Sequence, residues 1–247
     1  MESLKTIENI LEYGNKDTTY KYALLISIAD YLIDYPNERA TNNLHMIPVW
    51  YIVTKFIEYY YPLINAGVPQ GPKREGRNST AFETFFNVLK QEISNLKFSI
   101  KVPETINKFM EYLYETEVLD NTVLNFLLKI RTDVVYLPIK HIFTINKEQK
   151  SFFSLISLNK KFTDPFELHL EDVKINKKEM KSSLQELLEN ETVYLIFGDY
   201  HYKELSKVRF LLREVIIKKW VDECFNRFGN TVPNIYYCFD LWKAVPE

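Results

Sequence analysis

The chain has 247 residues, with 31 basic against 33 acidic side chains, a formal net charge of −2, 46% hydrophobic and 15% aromatic residues, and few Gly and Cys (6 and 2). Balanced charge with this apolar content excludes a disordered chain, two Cys exclude a disulfide framework or a four-thiolate metal site, and scattered Gly exclude a Gly-rich phosphate cradle. A near-neutral chain is also unlike a protein built to coat nucleic acid.

Ser3 to Tyr13 places Leu4, Ile7, Ile10 and Leu11 at helical spacing, and Gly14 suits the position after its end. Asp17 is a good cap for a second helix reaching about Tyr35, where Pro36 cannot continue it. A third helix is expected over Ile47 to Tyr61, with Pro48 in its first turn and Pro62 as its stop. Residues 65–79 hold three Gly and two Pro and read as a loop. Thr80 to Glu83 then forms a capping box before Phe82, Phe85, Phe86, Leu89, Ile93 and Leu96.

Pro103 opens a helix carrying Ile106, Phe109, Met110 and Leu113, and Asp120 or Asn121 caps another through Leu124, Leu127 and Leu128. Residues 134–139 fit a short strand, an extended link or a helix start, and Pro138 confines any strand to an edge. Residues 152–158 are ambiguous by periodicity. Asn176 caps a helix through Met180, Leu184, Leu187 and Leu188, and Thr192 to Phe197 is the best strand. A long helix from about Tyr202 to Phe228, apolar over most of its girth, is expected at the centre of a core. The fold class expected is mainly α, a multi-helix globular fold with one or two short strands around 134–137 and 192–197. A soft boundary near residues 132–150 divides it, taken as 1–132 and 133–247, or the two form one continuous domain.

The N-terminus carries Glu2, Glu8 and Glu12 and has no apolar h-region, so it does not read as a signal peptide. No stretch approaches the ~18 apolar residues of a membrane span. A cytoplasmic protein with reduced Cys224 and Cys238, and without a membrane partner, is expected.

No metal site and no cofactor are expected. None of His45, His141, His169 and His201 pairs with another at i+3 or i+4. Asp199 with His201, and Glu167 with His169, place an acid two residues from a His, which on a strand would share a face. No nucleophile motif occurs, and no catalytic residue is assigned. The basic residues are more informative. Lys73, Arg74 and Arg77 lie on the loop directly before the capped helix at Thr80, where orphan N–H groups and cations converge on an anion. Arg209 and Arg213 lie one helical turn apart in a basic stretch, and Tyr59, Tyr60 and Tyr61 offer rings for base stacking or, more commonly, core packing.

Two stretches read together carry a resemblance: Thr19 to Asp30 (TYKYALLISIAD) and Ile47 to Pro62 (IPVWYIVTKFIEYYYP). They resemble the helical N-terminal region of bacterial HNH-endonuclease-domain proteins, and Leu212 to Trp220 followed by Pro233 is compatible with it. The resemblance implies an endonuclease system of bacterial defence whose nuclease module has paired Cys on structural zinc and a His general base beside a metal. This sequence contains no such module, so it is expected to be the part that precedes the nuclease, and no catalytic residue carries over. The expected function is a non-catalytic recognition or regulatory module contacting DNA or RNA phosphates through Lys73, Arg74, Arg77, Arg209 and Arg213. It would partner a nuclease domain. Two alternatives stand beside it: a protein-interaction module without nucleic-acid affinity, and an enzyme with a dispersed site that includes Asp199, His201 and Glu167.

Overall fold

The computed structural model describes residues 2–13, 19–38, 40, 42–65, 68, 106–134, 153–157 and 183–228. These form α1 (Glu2–Tyr13), α2 (Tyr20–Asp34), β1 (Leu44–Pro48), α3 (Val49–Asn65), α4 (Ile106–Glu115), α5 (Asn121–Val134), β2 (Phe153–Ser157), α6 (Leu184–Glu189), β3 (Val193–Gly198), α7 (Asp199–Ser206) and α8 (Arg209–Phe228). The fold is mainly α, as its apolar periodicities require. The basic loop 65–79 and the capped helix after it lie outside the described residues, apart from Asn65 and Val68.

The helix surrounded on all sides is α2, not the late helix that its composition suggested. Every residue from Lys21 to Leu32 is buried, and α2 packs against α8, α3, α7 and α1. Its polar residues are satisfied internally. Ser27 Oγ donates to Ala23 O at 2.7 Å, and Lys21 Nζ donates to Leu11 O at 3.0 Å. That ammonium serves one of the last carbonyls of α1, where the helix dipole favours a cation. Thr19 and Tyr60 share a hydroxyl hydrogen bond of 2.8 Å that ties the start of α2 to α3.

Three elements depart from the sequence expectation. First, Leu44–Pro48 is a strand, not the start of a helix. It enters through Asn42 and Asn43, both with positive φ (52° and 61°), a conformation Asn tolerates better than most residues. β1 is an edge strand, which is why Pro48 is accepted. Second, Pro62 lies inside α3. The helix runs three residues past it, Leu63 is fully buried, and the Leu63 carbonyl accepts from Val68 N–H at 2.8 Å, closing the helix end. Third, the late helix is two helices, interrupted at Lys207 and Val208. Arg209 Nη1 donates to Ser206 O, a carbonyl freed by the break. In addition, Val134 is the last residue of α5, and Ser183 is extended and caps α6 through Glu186 N–H. The helix through Leu184 therefore does not run unbroken from Asn176. Residues 135–137 lie outside the described set.

The sheet has the order β1-β3-β2, both pairings antiparallel. β3 alternates in the way its sequence reads, with Val193, Leu195 and Phe197 inward. The partner strands come from opposite sides of residue 132, and α5 itself crosses that position. One contiguous cluster of buried residues runs from Ile7 to Cys224.

Arg131 and Glu191 hold the sheet to the helices. Both are almost fully buried. Arg131 Nη2 donates to Glu191 Oε1 at 2.6 Å and Nε to Oε2 at 3.0 Å, the two-pronged geometry that suits a guanidinium. The same carboxylate accepts from Trp50 N–H at the start of α3 (3.2 Å) and from Thr192 and Val193 N–H at the start of β3 (2.8 and 2.9 Å). Arg131 also lies over the Trp50 ring.

Candidate functional site

Of the five basic residues singled out by sequence, Lys73, Arg74 and Arg77 lie outside the described residues. Arg209 and Arg213 are one turn apart on α8, as the spacing requires, but both heads turn back onto the chain. Arg209 serves Ser206 O and lies over the Phe210 ring. Arg213 Nε donates to Asp30 Oδ1 at 2.8 Å and Nη2 to the Tyr59 hydroxyl at 3.4 Å.

Arg213 belongs to an ionic cluster between α2, α3 and α8 that sequence reading missed, because its members are scattered along the chain. Asp30 accepts from Arg213 and from the Tyr59 hydroxyl. Lys55 Nζ lies 3.2 Å from Glu58, 3.5 Å from Asp34 and 3.9 Å from Asp30, and Tyr51 donates to Asp34 at 2.7 Å. Three carboxylates thus face two cations. Burial pushes the Glu58 carboxyl up, against the pull of Lys55. Burial works to lower the Lys55 ammonium, but Glu58, Asp30 and Asp34 outweigh it and hold it above its ordinary value. Burial and then Asp34 raise the Tyr51 hydroxyl, and burial and then Asp30 raise that of Tyr59. The polar groups satisfy one another, and the cluster is a lock between helices.

Of the dispersed-enzyme residues, Asp199 and His201 are not brought together on one face. Asp199 and His201 lie on a helix, where positions two apart diverge, not on the strand that would align them. Asp199 accepts from Lys203 and contacts His45 Nε2 at 3.2 Å; Lys203 and then His45 hold its carboxyl below the usual range. His45 is buried between Asp199 and Glu38 and stacks on Tyr202, with centroids 3.6 Å apart. His201 Nδ1 lies 2.8 Å from Ser3 Oγ, and Ser3 Oγ donates to Glu204 at 2.5 Å. This resembles a nucleophile–base pair, but the hydroxyl proton points at the carboxylate. Ser3 Oγ therefore accepts from His201, the reverse of what general-base activation needs. Ser3 is also fully buried. The trio anchors α1 to α7. Glu167 lies outside the described residues.

Cys224 is buried in the core. Tyr59, Tyr60 and Tyr61 are buried too, packed against Trp220 and Phe109, so their rings stack on the core. Among the described residues no group of three His, Cys, Asp or Glu is placed to hold a metal, and no helix is long and apolar enough to cross a membrane.

The feature left over is apolar. Between α1 and α8 runs a groove of about 330 Å3, lined by Leu4, Ile7, Leu11, Leu211, Leu212 and Val215 and rimmed by Glu8, Glu12 and Lys219. Leu211 and Val215 are 66% and 42% exposed, and Phe225 further along the helix is 50% exposed. Sequence reading takes Leu211 and Val215 as part of the apolar girth of a core helix. The break at Lys207 and the inward face formed by Leu212, Ile216, Trp220 and Cys224 leave them outside.

No curated protein and no solved structure matches this chain significantly. A family model described as a domain of unknown function, DUF8808, matches residues 1–232, and the chain therefore belongs to the DUF8808 family.

Proposed function

We propose that this protein is a non-catalytic helical recognition module whose working surface is the outer side of α8 with the groove against α1. The observation that carries the reading is the row Leu211, Val215 and Phe225, exposed on one stripe of a well-packed helix. Isolated apolar residues on a surface need no explanation, but a row of them beside a groove marks a docking surface. Among the described residues, the Ser3–His201–Glu204 trio and the ionic cluster serve as anchors between helices. The test is co-purification from native cells of the tagged wild type beside Leu211→Glu/Val215→Glu. A partner lost in the variant supports the reading, and identical recovery in both, or none in either, refutes it.

The sequence favours a second reading, in which the module contacts nucleic-acid phosphates within an HNH-type endonuclease system. The basic loop Lys73, Arg74 and Arg77 before Thr80 and the resemblance of residues 19–62 support it. Duplex DNA binding that weakens with salt, and weakens again in the Lys73→Ala/Arg74→Ala/Arg77→Ala variant, would bear it out. No binding at low salt would remove it.

A further inference from the structure

The outer stripe of α8 carries a second pattern. Leu211, Val215, Lys218, Asp222 and Phe225 follow at intervals of four, three, four and three residues, the spacing of a coiled-coil seam, and all five are exposed. The other seam-like face of α8 is used inside the fold, so this one faces outward with nothing on it among the described residues. Its two charged members, Lys218 and Asp222, sit in the middle of an apolar row. Neither has an ion-pair partner among the described residues, although they lie one turn apart on the same helix.

Reversal of the sequence makes the stripe complementary to itself. In a parallel pair of such helices Lys218 would face Lys218 and Asp222 would face Asp222. In an antiparallel pair, with a two-fold axis passing between 218 and 222, each Lys218 meets an Asp222 and each Val215 meets a Phe225. These are the a-to-d layers of an antiparallel seam, and a two-fold interface requires this self-matching. Val215 lines the groove with Leu11 and Leu212, and the groove of about 330 Å3 is ample for a phenylalanine ring.

We propose that the occupant of this surface is a second copy of the chain, docked antiparallel along α8, with Phe225 of each copy seated beside Val215 of the other and Lys218 paired to Asp222 across the axis. The proposal rests on the reading of this surface as a docking site and names its partner.

Sedimentation of four samples tests it: wild type, Lys218→Asp, Asp222→Lys, and an equimolar mixture of the two variants. Wild type is expected to dimerise. Each variant alone places two like-charge contacts in the dimer and weakens it by roughly tenfold or more. The mixture places Asp against Lys at both contacts and restores a dimer, a result that an ion pair within one helix would not give. Wild type that stays monomeric, single variants that dimerise as wild type does, or a mixture that stays dissociated overturns the proposal. The co-purification with Leu211→Glu/Val215→Glu separates the two claims. A monomeric wild type that still captures a different protein through Leu211 and Val215 overturns the second copy and leaves the docking surface standing. A monomeric wild type that captures nothing overturns both.

Discussion

Removal of the Glu191 side chain should damage the fold more than removal of its partner's charge. The two oxygens of Glu191 receive two donors from Arg131 and three backbone N–H groups, from Trp50, Thr192 and Val193. Glu191→Ala strands a buried guanidinium, at about 3–5 kcal/mol. It also leaves three amides unserved, at about 1 kcal/mol or more each where water does not reach them. With partial relief by entering water, the loss comes to about 4–6 kcal/mol, much of the about 5–15 kcal/mol by which a folded chain is stable. Arg131→Met also breaks the pair, but the remaining carboxylate keeps three N–H donors, and the thioether fills most of the space. Its loss should be about 2–3 kcal/mol. Urea unfolding of both variants, with unchanged m as the sign of a common mechanism, measures the gap. If Glu191→Ala does not fold, Glu191→Gln, which keeps one acceptor, stands in and should fall between the two. Arg131→Met as costly as Glu191→Ala, or Glu191→Ala within about 1 kcal/mol of wild type, would refute the claim that the carboxylate organises the junction of α3, α5 and β3.

Three further outcomes follow from the charged groups. Burial works to raise the Glu204 carboxyl, but the Ser3 hydroxyl and amide outweigh it and hold it below the usual range. A lowered carboxyl contributes stability above its unfolded value and loses it as pH falls through the folded one, so exchange protection in α1 should drop below about pH 4. In Ser3→Ala it should already be low at neutral pH; protection in wild-type α1 that ignores this window would contradict the anchor. Glu58 has the opposite sign: its raised carboxyl favours the fold below the unfolded value and costs stability as pH rises through the folded one. Glu58→Gln should therefore be more stable than wild type at pH 7 and lose that advantage near pH 4, as a pH series of denaturation curves would show; a destabilised variant would contradict it. Arg213→Ala should lower stability by about 2 kcal/mol, because Asp30 loses its closest cation. A loss of nucleic-acid binding without loss of stability would instead return Arg213 to the role its sequence position first implied.

Local pattern made most helices legible. α1, α2, α4 and α5 carry their apolar residues at helical spacing, and Asp120 caps α5 as its residue type predicts, accepting from Thr122 N–H at 2.7 Å. β3 was legible as well, since Thr192 to Phe197 combines β-branched and aromatic residues with a Gly beyond. β1 was not. Leu44 to Pro48 is short and ends in a residue that suits a helix start, and it is a strand only because β3 lies beside it. The break at Lys207 has no Gly or Pro to announce it. The ionic cluster and the Arg131–Glu191 pair were invisible for a different reason. Arg213 and Asp30 are 183 positions apart and Arg131 and Glu191 are 60 apart, and no spacing rule links residues at such distances. The α8 stripe was half visible: its apolar members were plain, but which side faced out depended on how α2 fills the centre.

The central claim is that the outer side of α8 is where this protein meets its partner. A photo-crosslinking residue placed at Leu211 in the protein inside its native cells, with the exposed Glu189 position on α6 as control, tests it most directly. The account predicts a covalent adduct from 211 and none from 189, at twice the mass of the chain if the partner is a second copy. No adduct from 211, or equal adducts from both positions, would contradict it.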